Sequence, residues 1–198
     1  MGSPSSTKSN YVEQLMANTM HDDKLVQLLQ AEKSRNQAFR ALTEKYQERL
    51  YWHIRRMVGG HEDANDVVQN TFIKVFRSIK NFKGQSALYT WLYRIATNES
   101  ITFIKKRSRK QATSLNDEET GLANQLKADS YFDGDEVQLK LKIAISKLPE
   151  KQRVVFNLRY YDEMTYKEIS EVLGTSIGGL KASYHHAAKK IEQFFKEN

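Results

Sequence analysis

The sequence predicts an all-α protein, in which two helical domains are joined by a flexible acidic linker and the C-terminal domain carries a helix-turn-helix. Apolar residues recur close to the 3.6-residue period of a helix from residue 22 onward, without strand-like alternation of useful length. Residues 111–136 lose this period and carry seven acidic side chains against one basic side chain. Such a long aperiodic segment is typical of a domain boundary. The predicted organisation is a disordered tail (1–21), a first domain (22–110), the linker (111–136) and a second domain (137–198).

Four helices are expected in the first domain, and capping residues mark their ends. A short stripe of leucines predicts the first helix, and Asn36, Asp63 and Ser86 are the predicted N-caps of the next three. Gly59 and Gly60 are predicted to end the second helix, because glycine accepts the left-handed conformation that commonly follows a helix. The fourth helix is expected to run into a block of basic residues.

Composition and charge exclude several classes of protein. The chain has no cysteine, which rules out disulfides, thiolate nucleophiles and cysteine-ligated zinc. No apolar run approaches the ~20 residues that a membrane span needs, so a soluble cytoplasmic protein is expected. Lysine and arginine number 31 against 24 acidic residues. Because basic blocks flank the acidic linker on both sides, two polyanion-binding domains are predicted.

A helix-turn-helix is the strongest local signal in the second domain. Thr165 and Glu168 have the spacing of a capping box, Gly174 ends the short helix that follows, and Ser176 caps a longer helix. An ordinary helical hairpin would show the same pattern. The outward face of the longer helix favours DNA binding, since it carries small and donor-bearing side chains and no carboxylate until Glu192.

Four separate motifs resemble those of one protein family. The stretch Asp-Ala-Asn-Asp-Val-Val-Gln-Asn-Thr-Phe at 63–72 resembles a signature of bacterial sigma factors of the extracytoplasmic-function group. Phe-Lys-Gly at 82–84, and Thr-Trp-Leu-Tyr-Arg-Ile-Ala at 90–96 followed by Asn98, resemble the family's promoter −10 segment. Leu-Pro-Glu-Lys-Gln-Arg at 148–153, with the helix-turn-helix, resembles its −35-binding domain. The motifs follow the family's order over nearly the whole chain.

This resemblance implies a sigma factor that binds core RNA polymerase and directs promoter-specific transcription initiation. Its expected partners are core polymerase (the clamp helices of the largest subunit and the flap), promoter DNA and an anti-sigma factor, which can be membrane-bound. Asn65 and Asn70 stand where the family usually has glutamate, and two lost carboxylates should weaken charge pairing with polymerase. The residues implied to bind polymerase are Asp66, Gln69, Asn70, Phe72 and Ile73.

The resemblance also assigns residues to DNA, while the spacing of Trp91 favours a place in the core. Capture of bases from the melted −10 strand needs stacking surfaces and hydrogen-bonding groups on a basic platform. The residues implied for the −10 element are Phe82, Lys83, Gln85, Ser86, Tyr89, Tyr93, Arg94 and Asn98. Those implied for phosphates are Lys105, Lys106, Arg107 and Arg109, and those implied for the −35 element are Ser176, Gly178, Lys181, Ala182, His185, His186 and Lys189.

Other functions compete with this interpretation. A stand-alone helix-turn-helix regulator would bind palindromic half-sites by itself, and a basic helical RNA-binding or scaffold protein would show no sequence preference. An enzyme is not expected, because no phosphate-binding glycine loop, carboxylate metal cluster or nucleophile–base pair is evident. No cofactor or metal is expected either. His185 and His186 are adjacent on a helix, so their side chains point about 100° apart.

Overall fold

The computed structural model describes residues 20–112 and 136–197. These residues form α-helices with one 3₁₀ turn, and no strand occurs among them, so the all-α prediction is confirmed. The predicted tail (but for its last two residues) and nearly all of the predicted linker lie outside the described residues. The helices are α1 (Asp22–Gln30), α2 (Arg35–Val58), α3 (His61–Ser78), α4 (Leu88–Ala112), α5 (Glu136–Ser146), α6 (Glu150–Tyr160), α7 (Tyr166–Leu173) and α8 (Ile177–Glu197), with the 3₁₀ turn Ile79–Asn81.

The first domain consists of α1 to α4 packed around one apolar core. Helices α2, α3 and α4 contact each other, and α1 lies against α2. The predicted end of α2 is confirmed, since Gly59 adopts φ 89° immediately after the helix. None of the described helices is long and apolar enough to cross a membrane.

The three predicted N-caps of the first domain are wrong by one to three residues. Helix α2 begins at Arg35, before Asn36, and α4 begins at Leu88, two residues after Ser86. Helix α3 begins at His61, and Asp63 instead accepts a hydrogen bond from Arg107 Nη1 at 2.9 Å. At Asp63, a contact with a neighbouring helix therefore replaces the predicted cap.

The second domain follows its predicted local signals closely. The Thr165 hydroxyl accepts a hydrogen bond from the Glu168 amide, and the Glu168 carboxylate accepts one from the Thr165 amide at 2.7 Å. Gly174 is left-handed, with φ 64°. The Ser176 hydroxyl accepts a hydrogen bond from the Gly179 amide at 3.3 Å, as expected of a cap. The predicted helix-turn-helix is thus formed by α7 and α8.

The two domains also pack against each other. Helix α7 lies along α4, and α6 contacts α2. Buried apolar side chains of α6, α7 and α8 belong to the same continuous core as those of the first domain. A smaller core of the second domain is formed by Ala144, Ile145, Leu148, Phe156, Ala187 and Ile191.

Candidate polymerase and nucleic-acid interfaces

Helix α3 presents a mixed polar and apolar face to solvent. Asp66, Gln69, Asn70 and Ile73 are exposed, and their spacing places them on one side of the helix. Ile73 is 46% exposed, although it is a large apolar residue. We call these four residues the α3 face. An exposed isoleucine among one carboxylate and two amides is suited to a protein partner, because it offers both apolar contact and hydrogen bonds.

Phe72 does not belong to the α3 face, and its assignment to polymerase binding stays a prediction that its burial does not support. Its side chain is only 8% exposed, and its ring meets the edge of the Phe39 ring at 6.2 Å between centroids. The position faces inward because it lies one turn from Val68 and Val75, which are also buried. Phe72 therefore holds α3 on the core.

The loop after the 3₁₀ turn and the start of α4 form a second exposed face. Lys83 and Gln85 in the loop are exposed, as are Arg94 and Asn98 one turn apart on α4. Phe82, Ser86 and Tyr89 are partly exposed. We call these seven residues the α4 face. The face combines aromatic surface, amide groups and positive charge, which are the groups that bind single-stranded bases.

Trp91 supports this face from beneath, through its contact with Phe82. Trp91 is buried, as predicted, and its ring centroid lies 5.1 Å from that of Phe82. The Phe82 carbonyl accepts a hydrogen bond from Gln30 Nε2 at 2.8 Å, which ties the loop to α1.

Tyr93 is not on the α4 face, contrary to its assignment to the −10 element. It is 2% exposed, and its ring lies 4.9 Å from the ring of His53. Burial raises the pKa of the Tyr93 hydroxyl to about 12, and the nearby carboxylate of Asp162 adds to the rise. Asp162 belongs to the second domain, so Tyr93 lies where the two domains meet.

The basic block at the end of α4 divides into two kinds of residue. Lys105, Lys106 and Arg109 are exposed. Arg107 is partly buried, and its Nη1 donates to the Val58 carbonyl at 3.0 Å and to Asp63 at 2.9 Å. Arg107 thus joins α4 to the end of α2 and the start of α3, and its assignment to phosphate binding stays a prediction.

Helix α8 carries the third exposed face. All seven predicted −35 residues are exposed, while Leu180, Ala187 and Ile191 on the opposite side are buried. The rings of His185 and His186 are 6.0 Å apart and inclined by 59°. No cluster of metal-ligating side chains occurs in the described part of the chain. We call these residues the α8 face: Ser176, Gly178, Lys181, Ala182, His185, His186 and Lys189.

Sequence reasoning missed the polar cluster between the domains. His53 and Arg56 on α2 both contact Asp162, in the loop between α6 and α7. His53 lies beside the buried apolar stripe of α2, and a polar residue on a buried face is a signal that a partner covers it. The partner is 109 positions away in the chain, and no local pattern could identify it.

Comparisons with known proteins agree with this architecture. The family model for sigma-70 region 2 matches residues 42–110, and the model for sigma-70 region 4 matches residues 139–191. The RNA polymerase sigma-H factor of Pseudomonas aeruginosa is 30% identical over 188 residues, which cover 87% of this chain and 92% of that protein. The extracytoplasmic-function (ECF) sigma factor SigW of Bacillus subtilis is 30% identical over 176 residues, covering 85% and 94%.

A solved structure has the same fold. It is the sigma factor RpoE in complex with the anti-sigma factor NepR from Bartonella quintana, with a TM-score of 0.67 and 22% identity over 80% of this chain and 96% of that one. Both family models match in the order that the sequence motifs predict, and relatives are similar over most of their length. The chain therefore belongs to the extracytoplasmic-function group of the sigma-70 family, the sigma factors that recognise promoters for RNA polymerase.

Proposed function

We propose that the three exposed faces of this sigma factor bind three different targets. The α3 face binds core RNA polymerase, the α4 face binds the melted −10 strand, and the α8 face reads the −35 duplex. The strongest support is the different chemistry of the three faces: carboxylate, amides and an exposed isoleucine on the α3 face, aromatic and basic groups on the α4 face, and no carboxylate on the α8 face.

The α3 face is suited to a large protein partner. Ile73 supplies apolar area at its edge, and Asp66 supplies one negative charge. In place of family glutamates, Asn70 offers an amide to the partner, and the Asn65 side chain lies 3.1 Å from the His61 ring nitrogen. Polymerase binding by this chain therefore depends more on hydrogen bonds and apolar contact than on ion pairs.

The α4 and α8 faces are suited to different forms of DNA. Phe82 and Tyr89 offer ring surface for unstacked bases, and Arg94 and Asn98 offer donors for base edges. On α8, Lys181, Ala182 and His185 lie near the N-terminal end, which is the end that approaches base edges in helix-turn-helix proteins. His186 and Lys189 lie further along the face, where phosphate contact is expected.

The remaining assignments follow from this role. We propose the domain limits 22–110 and 137–198, the linker 111–136 and the tail 1–21. Lys105, Lys106 and Arg109 contact phosphates. The chain is not an enzyme and acts in the cytoplasm, where polymerase carries out the chemistry and an anti-sigma factor regulates the complex.

Charge reversal on the α3 face tests whether this face binds core polymerase. Asp66→Arg places a positive charge on this face and should lower the affinity for core polymerase at least about tenfold, since a misplaced charge at an interface costs more than about 1.4 kcal/mol. Binding is measured by co-purification and by titration of labelled chain with core enzyme. Glu44→Arg, on the exposed side of α2, is the matched control and should bind normally. Equal affinity of both variants would contradict the assignment of the α3 face.

A further inference from the structure

A cavity of about 160 Å³ lies between the two domains and is partly open to solvent. Its apolar walls are formed by Trp52 and Met57 of α2, Ile145 of α5 and Tyr161, which follows α6. An apolar cavity of about 150 Å³ is large enough to bind a benzene ring. The size and the apolar walls of this cavity therefore suit the flat ring of a small ligand.

Trp52 offers a stacking surface at this cavity. It is 39% exposed, although indole is a large apolar group. The ring of the neighbouring Tyr51 meets the indole at an interplanar angle of 74°, with 5.2 Å between the ring centroids. The Tyr51 hydroxyl lies 2.7 Å from His61 Nδ1, so the first domain holds this aromatic pair in place. An exposed indole beside an apolar cavity is suited to stacking on a planar base.

Asn157 of α6 lines the cavity with a side-chain amide that needs partners. The residue is fully buried, and neither its Nδ2 nor its Oδ1 makes a hydrogen bond within the described residues. Buried polar groups of native proteins are almost always hydrogen-bonded. A ligand that pairs with both groups must carry an acceptor and a donor side by side. A carboxylate or phosphate has acceptors only, whereas the edge of adenine offers the acceptor N7 beside the N6 amino group.

The described residues that line the cavity include basic side chains and no acidic one. The basic residues are Arg55, Arg56, Lys142 and Arg153. Arg56 Nη2 donates to Asp162 Oδ1 at 2.6 Å, but the buried Arg56 Nε makes no hydrogen bond within the described part of the chain. Burial lowers the pKa of the Arg153 guanidinium, and the nearby Glu150 carboxylate offsets this only in part. Because cations that have lost hydration gain from an anionic partner, and guanidinium groups match phosphate in shape, this lining favours a phosphate-bearing ligand.

We propose that this cavity binds an adenine nucleotide, with the base against Trp52 and Asn157 and the phosphate beside the basic side chains. An aromatic carboxylate without a donor group would leave the Asn157 oxygen unpaired, inorganic phosphate has no ring, and adenosine has no charge. Adenosine monophosphate (AMP) supplies the ring, the paired edge and the charge together. The inference goes beyond promoter recognition and does not depend on which residues contact DNA.

Titration of the full chain with AMP tests the proposal, and tryptophan fluorescence reports where the base lies. The chain has two tryptophans, and the other, Trp91, is buried beside Phe82 in the first domain. AMP should bind with one-to-one stoichiometry and quench the emission of Trp52. Adenosine and inorganic phosphate should each bind at least about tenfold more weakly, since each lacks one of the recognised groups. Trp52→Phe should still bind AMP by calorimetry, because phenylalanine also stacks, but should lose the AMP-dependent quenching.

Asn157→Leu separates a ligand-binding role from a structural one. Leucine has a similar volume but no polar atom, so the variant should bind AMP at least about tenfold more weakly. Its helix content should be unchanged, and its thermal midpoint should be equal to or above the parent's, because an unpaired buried amide has been removed. A residue needed only for the fold would instead lower the midpoint when replaced.

Lys142→Gln tests the phosphate contact without changing a fully buried residue. It should weaken AMP binding at least about threefold, because a charged contact is lost, and should leave the weak binding of adenosine unchanged. Lys140→Gln is the matched control, since Lys140 is on the same helix but does not line the cavity. The control should bind AMP as the parent does.

Three results would overturn the proposal. The first is that the full chain binds no AMP at about 1 mM, which is the weak end of specific affinity. The second is that AMP and inorganic phosphate bind equally well, which would leave the base without a role. The third is that Asn157→Leu and Lys142→Gln both keep their helix content and bind AMP as the parent does. Each result concerns the cavity alone, whereas normal polymerase binding by Asp66→Arg would concern the α3 face alone, so the two proposals fail separately.

Discussion

Asp162 keeps its negative charge in a place almost without water. Burial alone would raise the pKa of its carboxyl group, but the charges and hydrogen bonds of His53 and Arg56 outweigh burial and hold the pKa below the ordinary value of 3.8. A carboxyl group with a lowered folded pKa stabilises the fold above its unfolded pKa, and this stability is lost as the pH falls through the folded value.

The lowered pKa of Asp162 determines how the stability of the Asp162→Asn variant, relative to the parent, should depend on pH. At pH 7 the variant should be about 3 kcal/mol less stable than the parent, because it leaves the buried His53 and the partly buried Arg56 without a charged partner. The difference should stay constant while the pH is well above 3.8 and should shrink as the pH falls from that value toward the lower folded pKa, because the parent's carboxyl group then loses the stabilisation of its charge. Thermal unfolding of both chains across this range measures it. If the difference in stability between the two chains increased as the pH fell, the lowered pKa of Asp162 would be contradicted.

Two lysines of the α8 face should behave differently toward DNA. In the proposed arrangement Lys181 donates to guanine O6 or N7, so Lys181→Ala should cost roughly 1–3 kcal/mol and relax preference at one −35 position. Lys189→Ala should weaken binding to all sequences alike and lower the salt slope by about one. Each variant is its partner's control, with binding measured on a −35 duplex library at two salt concentrations. Reversed outcomes would mean that the helix is rotated in the groove.

At the scale of the secondary-structure element, the turn between α7 and α8 depends on one glycine conformation. Gly174 has φ 64°, with nothing within 4 Å of where a Cβ would lie. Gly178 has equally open space around it but lies inside α8 with ordinary helical geometry. Neither position is crowded, so alanine at the two positions differs mainly in the backbone conformation that it must adopt.

Alanine at these glycines should have opposite effects on stability. Gly174→Ala should destabilise the second domain by about 1 kcal/mol, since alanine disfavours a left-handed backbone. Gly178→Ala should stabilise it by about 0.5–1 kcal/mol, because alanine is the better helix former. Chemical denaturation of each variant compares them directly. If both substitutions changed the stability in the same direction, the turn would not need a left-handed residue.

The sequence predicted correctly those features of the helices that depend only on residues nearby in the chain. The capping box at Thr165, the glycine at Gly174 and the exposed side of α8 all follow from short-range spacing and are confirmed in position. The starts of α2, α3 and α4 were predicted less well. At α3, Asp63 has a stronger partner in Arg107, a residue 44 positions away, and no local rule contains that contact.

The candidate site also depends partly on local and partly on distant contacts. The family resemblance assigned Asp66, Gln69, Asn70 and Ile73 to polymerase binding, and all four are exposed. Tyr93 was predicted as a DNA contact, but its surroundings depend on a loop of the other domain. The cluster of His53, Arg56 and Asp162 between the domains was missed for the same physical reason, because it pairs groups more than 100 positions apart.

At the scale of the whole molecule, we propose that each domain binds one promoter element. If the α4 face binds the −10 element and the α8 face binds the −35 element, a substitution in one face should alter the preference for one element only. Asn98→Ala removes an amide from the α4 face and leaves α8 intact, and Lys181→Ala removes an amine from the α8 face and leaves α4 intact.

Transcription by core polymerase from a promoter library randomised at both elements tests this central claim most directly. The parent chain should direct initiation from promoters with defined preferences at −10 and −35. Asn98→Ala should change the −10 preference alone, and Lys181→Ala should change the −35 preference alone. The account would be contradicted if the parent chain gave no promoter-specific transcription, or if either variant changed the element assigned to the other domain.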